Sequence, residues 1–199
     1  MITKVQQEEF NKMFDDCRKV HIPVVREKTA KLLCELVEKI NPKQILEVGT
    51  AIGYSGTLML LSCETAHLTT LELSEDMCKK AQQTFDKYNV TDRVTIFNVD
   101  ARIFFENNKK KFDFIFLDGP KGQYVKYLPY IKECLNKGGI CFCDDVLYFG
   151  MVKDDSLVTH KKITIVRNLR QFIAQVQLDN DFESELFDFE DGVLVFKKI

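Results

Sequence analysis

The hydrophobic positions of the chain change their period along its length. From Glu8 to Val20, Phe10, Met13, Phe14 and Cys17 recur at helical spacing, and from Arg26 to Ile40 so do Leu32, Leu33, Leu36 and Val37, with Pro23 between the two predicted helices. From residue 44 the texture becomes short apolar runs alternating with amphipathic stretches, the pattern of a βα repeat around a mainly parallel sheet. Strands are predicted at Gln44–Val48, Leu68–Glu72, Val94–Asn98, Phe112–Leu117 and Gly139–Cys143. Helices are predicted near Tyr54–Leu61, Glu75–Tyr88, Ala101–Asn107 and Tyr124–Leu135. The tail reads as strand, turn and strand: Phe182–Phe189, Glu190-Asp191-Gly192, then Val193–Lys198, with Asp-Gly suited to a tight reversal that closes the sheet edge. No repeat or low-complexity linker interrupts the pattern, so one domain is expected over 1–199, with a helical cap at 1–43 and an α/β core at 44–199.

Composition narrows the chemistry. The 199 residues, 45% hydrophobic and 29% charged, suffice for one sizeable core. A formal net charge of −2 provides no global positive field for nucleic acid, leaving only local basic patches. The seven cysteines, Cys17, Cys34, Cys63, Cys78, Cys134, Cys141 and Cys143, are odd in number and read as reduced thiols of a cytoplasmic protein. Cys141 and Cys143 have C-x-C spacing but no second ligand pair, which favours core packing over zinc. The first residues lack a signal peptide's apolar run, and no stretch approaches the roughly 20 apolar residues that span a bilayer, so no membrane association is expected.

The first predicted strand runs into Glu47-Val48-Gly49-Thr50-Ala51-Ile52-Gly53-Tyr54-Ser55. In an open α/β sheet ligands bind at the carboxyl ends of strands, where glycine allows close backbone approach. The glycines lack the G-x-G-x-x-G spacing of a dinucleotide site, which favours a phosphate-free adenosine ligand over a nicotinamide cofactor. Glu72 ends the second strand, about twenty residues on, where a carboxylate can hold a ribose. Asp100 ends the third strand, placed to approach an adenine amino group. Two further acidic sites follow apolar strands, Asp118 and the pair Asp144-Asp145. If those strands are neighbours, three carboxylates converge, an arrangement tolerable chiefly around a cation such as Mg²⁺ or Mn²⁺.

With these stretches, and with Asp118–Tyr124, Asp144-Asp145-Val146-Leu147 and Asp191–Val195, nearly the whole chain resembles the class I S-adenosylmethionine-dependent methyltransferases. Within them it is similar to the metal-dependent O-methyltransferases typified by catechol and caffeoyl-coenzyme A enzymes. The resemblance implies a Rossmann-like fold whose seven-stranded, mainly parallel sheet ends in an antiparallel hairpin. It implies that Gly49, Ala51, Tyr54 and Ser55 line the methionine part of S-adenosylmethionine, with Glu47, Gly53 and Asp118 in the same site. Glu72 would hold the ribose, Asp100-Ala101 border the adenine and Val25 close the pocket. Asp118, Asp144 and Asp145 would bind the metal, although the family usually has Asn at the last of these positions.

Lys121 falls where the family has a proposed catalytic lysine, and beside a dication its ammonium form is disfavoured, so it is the expected general base. The implied reaction is removal of a metal-acidified hydroxyl proton by Lys121, then in-line transfer of the methyl group. After the acidic pair come Tyr148 and Phe149 and a segment to Arg170 containing Lys153, His160, Lys161, Lys162, Arg167 and Arg170. This stretch resembles the bacterial branch that methylates 5-hydroxyuridine in tRNA, with basic residues for phosphates and aromatic residues for base stacking. The expected substrate is therefore tRNA, with a small catechol-like or hydroxycinnamoyl compound as the alternative. The plain reading of the segment is a solvated loop. The resemblance also implies a homodimer, which the Phe10, Met13 and Phe14 stripe could serve. A non-catalytic adenosine-binding module is the reading that the acidic cluster and Lys121 disfavour.

Overall fold

The computed structural model describes residues 4–19 and 22–199, so Val20, the end of the first predicted helix, lies outside the described residues. Two helices open the chain, α1 (Lys4–Lys19) and α2 (Glu27–Ile40). Strands and helices then alternate: β1 (Gln44–Val48), α3 (Tyr54–Ser62), β2 (His67–Glu72), α4 (Glu75–Lys87), β3 (Val94–Asn98), α5 (Ala101–Asn107), β4 (Phe112–Leu117), α6 (Tyr124–Cys134) and β5 (Leu135–Cys143). The chain finishes with α7 (Ile163–Leu178), β6 (Phe182–Phe187) and β7 (Val193–Lys198). Seven strands form one sheet in the order β3-β2-β1-β4-β5-β7-β6. Neighbours among β1 to β5 pair parallel, whereas β7 is antiparallel to both β5 and β6. This is the Rossmann-like α/β class that the strand pattern predicts.

The central strands are apolar on both faces because helices cover both, and successive side chains point to opposite layers. On one side Leu46, Val48, Ile115, Leu117, Cys141 and Cys143 pack with the inner faces of α6 and α7. On the other, Ile45, Phe114, Phe116 and Phe142 pack with α2, α3 and α4. Phe10 on α1 joins the second layer, fully buried, stacked on Tyr88 at 4.8 Å and edge-on to Tyr54 at 5.4 Å. Met13 and Phe14 pack half-buried against the same layer, so the apolar stripe of α1 faces its own fold.

The structure departs most from the sequence pattern in two places, and β6 also ends at Phe187 rather than Phe189. The basic segment read as a loop to Arg170 becomes helical from Ile163, and α7 buries Val166, Leu169, Phe172, Ile173 and Val176. That spacing is helical, but Arg167 and Arg170 among these residues, and Lys161 and Lys162 just before them, drew the reading towards solvent. Strand β5 begins at Leu135 rather than Gly139, because its pairing with β4 shifts register between Phe112 and Phe114 and Gly138 takes φ +81° in the irregular stretch. All seven cysteines are free. Among the described residues no helix is long and apolar enough to cross a membrane.

Candidate active site

The strand order reverses between β1 and β4, the position where an open parallel sheet leaves a crevice at its carboxyl edge. The strand ends there are stitched together: the Gly49 N–H donates to the Leu71 carbonyl (3.0 Å), Asp118 N–H to Val48 (3.0 Å) and Asp144 N–H to Leu117 (3.1 Å). A cavity of about 430 Å³ opens over them. Of the predicted site residues it is lined by Gly49, Ala51, Glu72, Asp100, Ala101, Asp118, Lys121 and Asp145.

Each of these is held by local geometry. Gly49 has φ +101°, and a Cβ there would stand 2.6 Å from the Asp118 carbonyl oxygen, so only glycine lets the turn after β1 lie against the end of β4. Glu72 accepts the Ala51 N–H through one carboxylate oxygen and the Ser74 N–H through the other, each at 2.9 Å. A carboxylate has about four lone-pair sites, so two remain for ligand hydroxyls. Asp100 caps α5 by accepting the Arg102 N–H at 2.8 Å through Oδ1.

Because β4 and β5 pair with Leu117 opposite Cys143, the residues after them meet. Carboxylate oxygens of Asp118, Asp144 and Asp145 lie within 4.8 Å of one another. Burial, reinforced by the charges of Asp118 and Asp145, pushes Asp144 up to about 8. Three hard oxygen donors at this spacing, with one proton-retaining acid among them, fit a divalent cation that would replace the proton and offset the repulsion. Lys121 donates to Asp118 at 2.5 Å and lies 3.6 Å from Asp145. Although burial opposes its charge, the facing carboxylates of Asp118 and Asp145 hold Lys121 well above the usual lysine range. The sequence expectation of a disfavoured ammonium therefore does not hold for the bare carboxylates; it requires the cation to take up their charge.

The remaining predicted residues stand behind the cavity wall. Glu47 is fully buried and accepts the hydroxyls of Ser55 (2.5 Å) and Thr70 (2.6 Å), while Thr70 in turn lies 2.5 Å from Thr50. Gly53 takes φ +81° at the start of α3, with Ala81 and Phe85 of α4 closing the space a side chain would need. Tyr54 turns towards Phe10, and Val25 and Asp144 are buried. The cavity also has an apolar lining that the motifs did not single out, including Pro23, Val48, Leu71, Leu73, Val99 and Tyr127. Leu73 is 71% exposed, and a leucine so placed directly after the ribose-type acid was the available signal.

The O-methyltransferase family pattern matches residues 5–199. The chain belongs to that family. A catechol O-methyltransferase from Sus scrofa is 32% identical to this methyltransferase over 134 residues, covering 63% of this chain and 72% of its own. A Staphylococcus aureus structure described as a candidate caffeoyl-CoA O-methyltransferase is similar with a TM-score of 0.88 and 28% identity, over 98% of this chain and 96% of its own. A Podospora anserina methyltransferase solved with S-adenosylhomocysteine bound is similar with a TM-score of 0.81 and 26% identity, over 96% of this chain and 85% of its own.

Proposed function

We propose that this O-methyltransferase moves the methyl group of S-adenosylmethionine to a hydroxyl of a small, flat substrate with two adjacent oxygens, assisted by Mg²⁺ or Mn²⁺ at Asp118, Asp144 and Asp145. The observation that carries this reading is the three-carboxylate cluster with Lys121 against it, opening into the cavity at the sheet's switch point. Glu72 offers its free lone pairs to the ribose hydroxyls, Asp100 and Ala101 border the adenine, and Gly49 and Ala51 leave room for the methionine portion. Glu47, Gly53, Tyr54, Ser55 and Val25 support these contacts from behind. The bound cation supplies acidification of the substrate hydroxyl. With Asp118 and Asp145 directed to the cation, Lys121 would lose the partners that hold its proton, release that proton to solvent, and as the neutral amine accept the proton of the hydroxyl. The oxygen then takes the methyl group in line, and S-adenosylhomocysteine leaves.

The substrate moves from the tRNA base of the sequence reading to a small molecule. Arg170 donates to the carbonyls of Met151 and Val152 and to Asp155, Lys162 donates to the Tyr148 hydroxyl, and Lys153 pairs with Asp188. Much of the basic segment thus serves the fold itself, and the similarity to catechol and caffeoyl-CoA enzymes supports the small substrate.

The test is transfer from labelled S-adenosylmethionine with Mg²⁺ to a panel of catechols and hydroxycinnamoyl thioesters, beside tRNA lacking its wobble modifications. Label is expected in the small compounds, abolished by EDTA and reduced about 10²- to 10⁴-fold by Lys121→Ala. Transfer insensitive to EDTA would sink the metal-assisted reading, and metal-dependent label in 5-methoxyuridine would return the substrate to tRNA.

A further inference from the structure

The turn between β6 and β7 grips two segments that flank the cavity. Glu190 accepts the backbone N–H groups of Lys28 (2.9 Å) and Thr29 (3.0 Å) and the Thr29 hydroxyl (2.7 Å), which anchors the start of α2. The Asp191 and Gly192 carbonyls accept the N–H groups of Leu147 (2.8 Å) and Val146 (3.0 Å), and Asp191 Oδ1 accepts that of Phe149 (2.5 Å). A side chain on Gly192 would overlap Leu147, so turn and loop fit in one arrangement.

The gripped loop is strained. Asp145, Tyr148 and Phe149 hold φ of +54°, +48° and +57°, followed by Gly150 at +76°. Residues with side chains keep such angles only where their surroundings impose them. Asp191, which holds Phe149 in this loop, is 5% exposed, and among the described residues its Oδ2 has no hydrogen-bond partner and faces Arg26 Nη2 at 3.8 Å. That geometry leaves Oδ1 to hold the Phe149 amide and turns Oδ2 to the Arg26 guanidinium. Asp145 begins the loop and lines the cavity, and Pro23, three residues before Arg26, lines it as well.

We propose that Asp191 is a positioning residue for the acidic cluster, fixing through the Phe149 N–H the strained loop that sets where the Asp145 carboxylate reaches. The inference rests on the metal-assisted reading above. Its test is calorimetric titration of the full chain with Mn²⁺ and, separately, with S-adenosylhomocysteine, for wild type, Asp191→Ala, Asp191→Glu and Asp191→Asn. Asp191→Ala removes the grip and Asp191→Glu displaces it by one methylene, so both weaken Mn²⁺ about tenfold, the scale of losing a group that orients a metal ligand. Asp191→Asn keeps an acceptor for Phe149 and stays near wild type, and all three bind S-adenosylhomocysteine normally. Should Asp191→Ala fail to fold, Asp191→Glu against Asp191→Asn decides. Wild-type Mn²⁺ affinity in Asp191→Ala and Asp191→Glu overturns the proposal, as does a parallel loss of both ligands, the mark of general loosening. A wild-type chain that binds S-adenosylhomocysteine but no Mn²⁺ overturns the metal reading and this inference together.

Discussion

At the scale of single residues, Gly49 and Glu47 show how closely the ligand turn and the acidic cluster are joined. A methyl group on Gly49 would press on the Asp118 backbone at 2.6 Å, at a φ of +101° that an L side chain resists. Gly49→Ala is expected to lose about 1–3 kcal/mol of stability from the backbone angle alone. It should also weaken Mn²⁺ and S-adenosylhomocysteine together, since both depend on the turn and on Asp118; denaturant unfolding and calorimetry measure the two effects, and unchanged binding of both ligands contradicts the coupling. Glu47 gives a pH signature. Burial raises it from 4.5 to about 7, against the opposing hydrogen bonds from Ser55 and Thr70. Between those values the folded chain keeps a proton that the unfolded chain releases, so the contribution is fully present below pH 4.5 and is lost as pH rises through about 7. Glu47→Gln should flatten the fall in unfolding free energy between pH 5 and 8, a change on the order of 3 kcal/mol. Denaturant midpoints at the two pH values check it, and equal slopes for variant and wild type would refute the assignment.

At the scale of elements, two helices bear on the site from outside it. Helix α7 presents Leu169, fully buried, to the layer beneath β4 and β5. Leu169→Ala should cost about 2–5 kcal/mol, as for other buried leucines, visible as a lowered unfolding midpoint; a cost under 1 kcal/mol would mean that α7 is not part of the core. Helix α1 acts through Phe10, wedged between Tyr88 and Tyr54, and Tyr54 begins the helix that follows the glycine turn. Phe10→Ala should cost about 3–5 kcal/mol by the same reasoning. Hydrogen exchange should then speed up in α1 and at the start of α3, while protection of α7 in the opposite layer stays unchanged.

At the scale of the whole molecule, the sheet brings like charges together and so leaves the fold open to stabilisation by a cation. A ligand that binds only the folded state adds RT ln(1 + [L]/Kd), about 2.7 kcal/mol at a hundredfold excess over Kd. The melting temperature should therefore rise in millimolar Mg²⁺ or Mn²⁺ and fall back with EDTA, and Asp118→Asn should abolish the shift. A melting temperature blind to metal in the wild type would argue that the cluster holds none.

What the chain determined by itself was local. Its apolar period placed β1, β3, β4 and β7 at their observed bounds, and Gly49, Glu72, Asp100, Asp118 and Asp144 could be marked as strand-end residues, because side-chain periodicity and turn chemistry depend on near neighbours. Tertiary structure decided everything that rests on which strands pair. That β4 lies beside β5 brings Asp118 to Asp144 and Asp145 across 26 or more residues of sequence, and no local pattern encodes that neighbour. The same holds for Glu47, an acid in a ligand motif that folding turns inward to Ser55 and Thr70, and for Asp191, whose partner Phe149 lies 42 residues away. Period is written in the order of residues; proximity between distant segments is set only when hydrophobic burial chooses one packing of the layers.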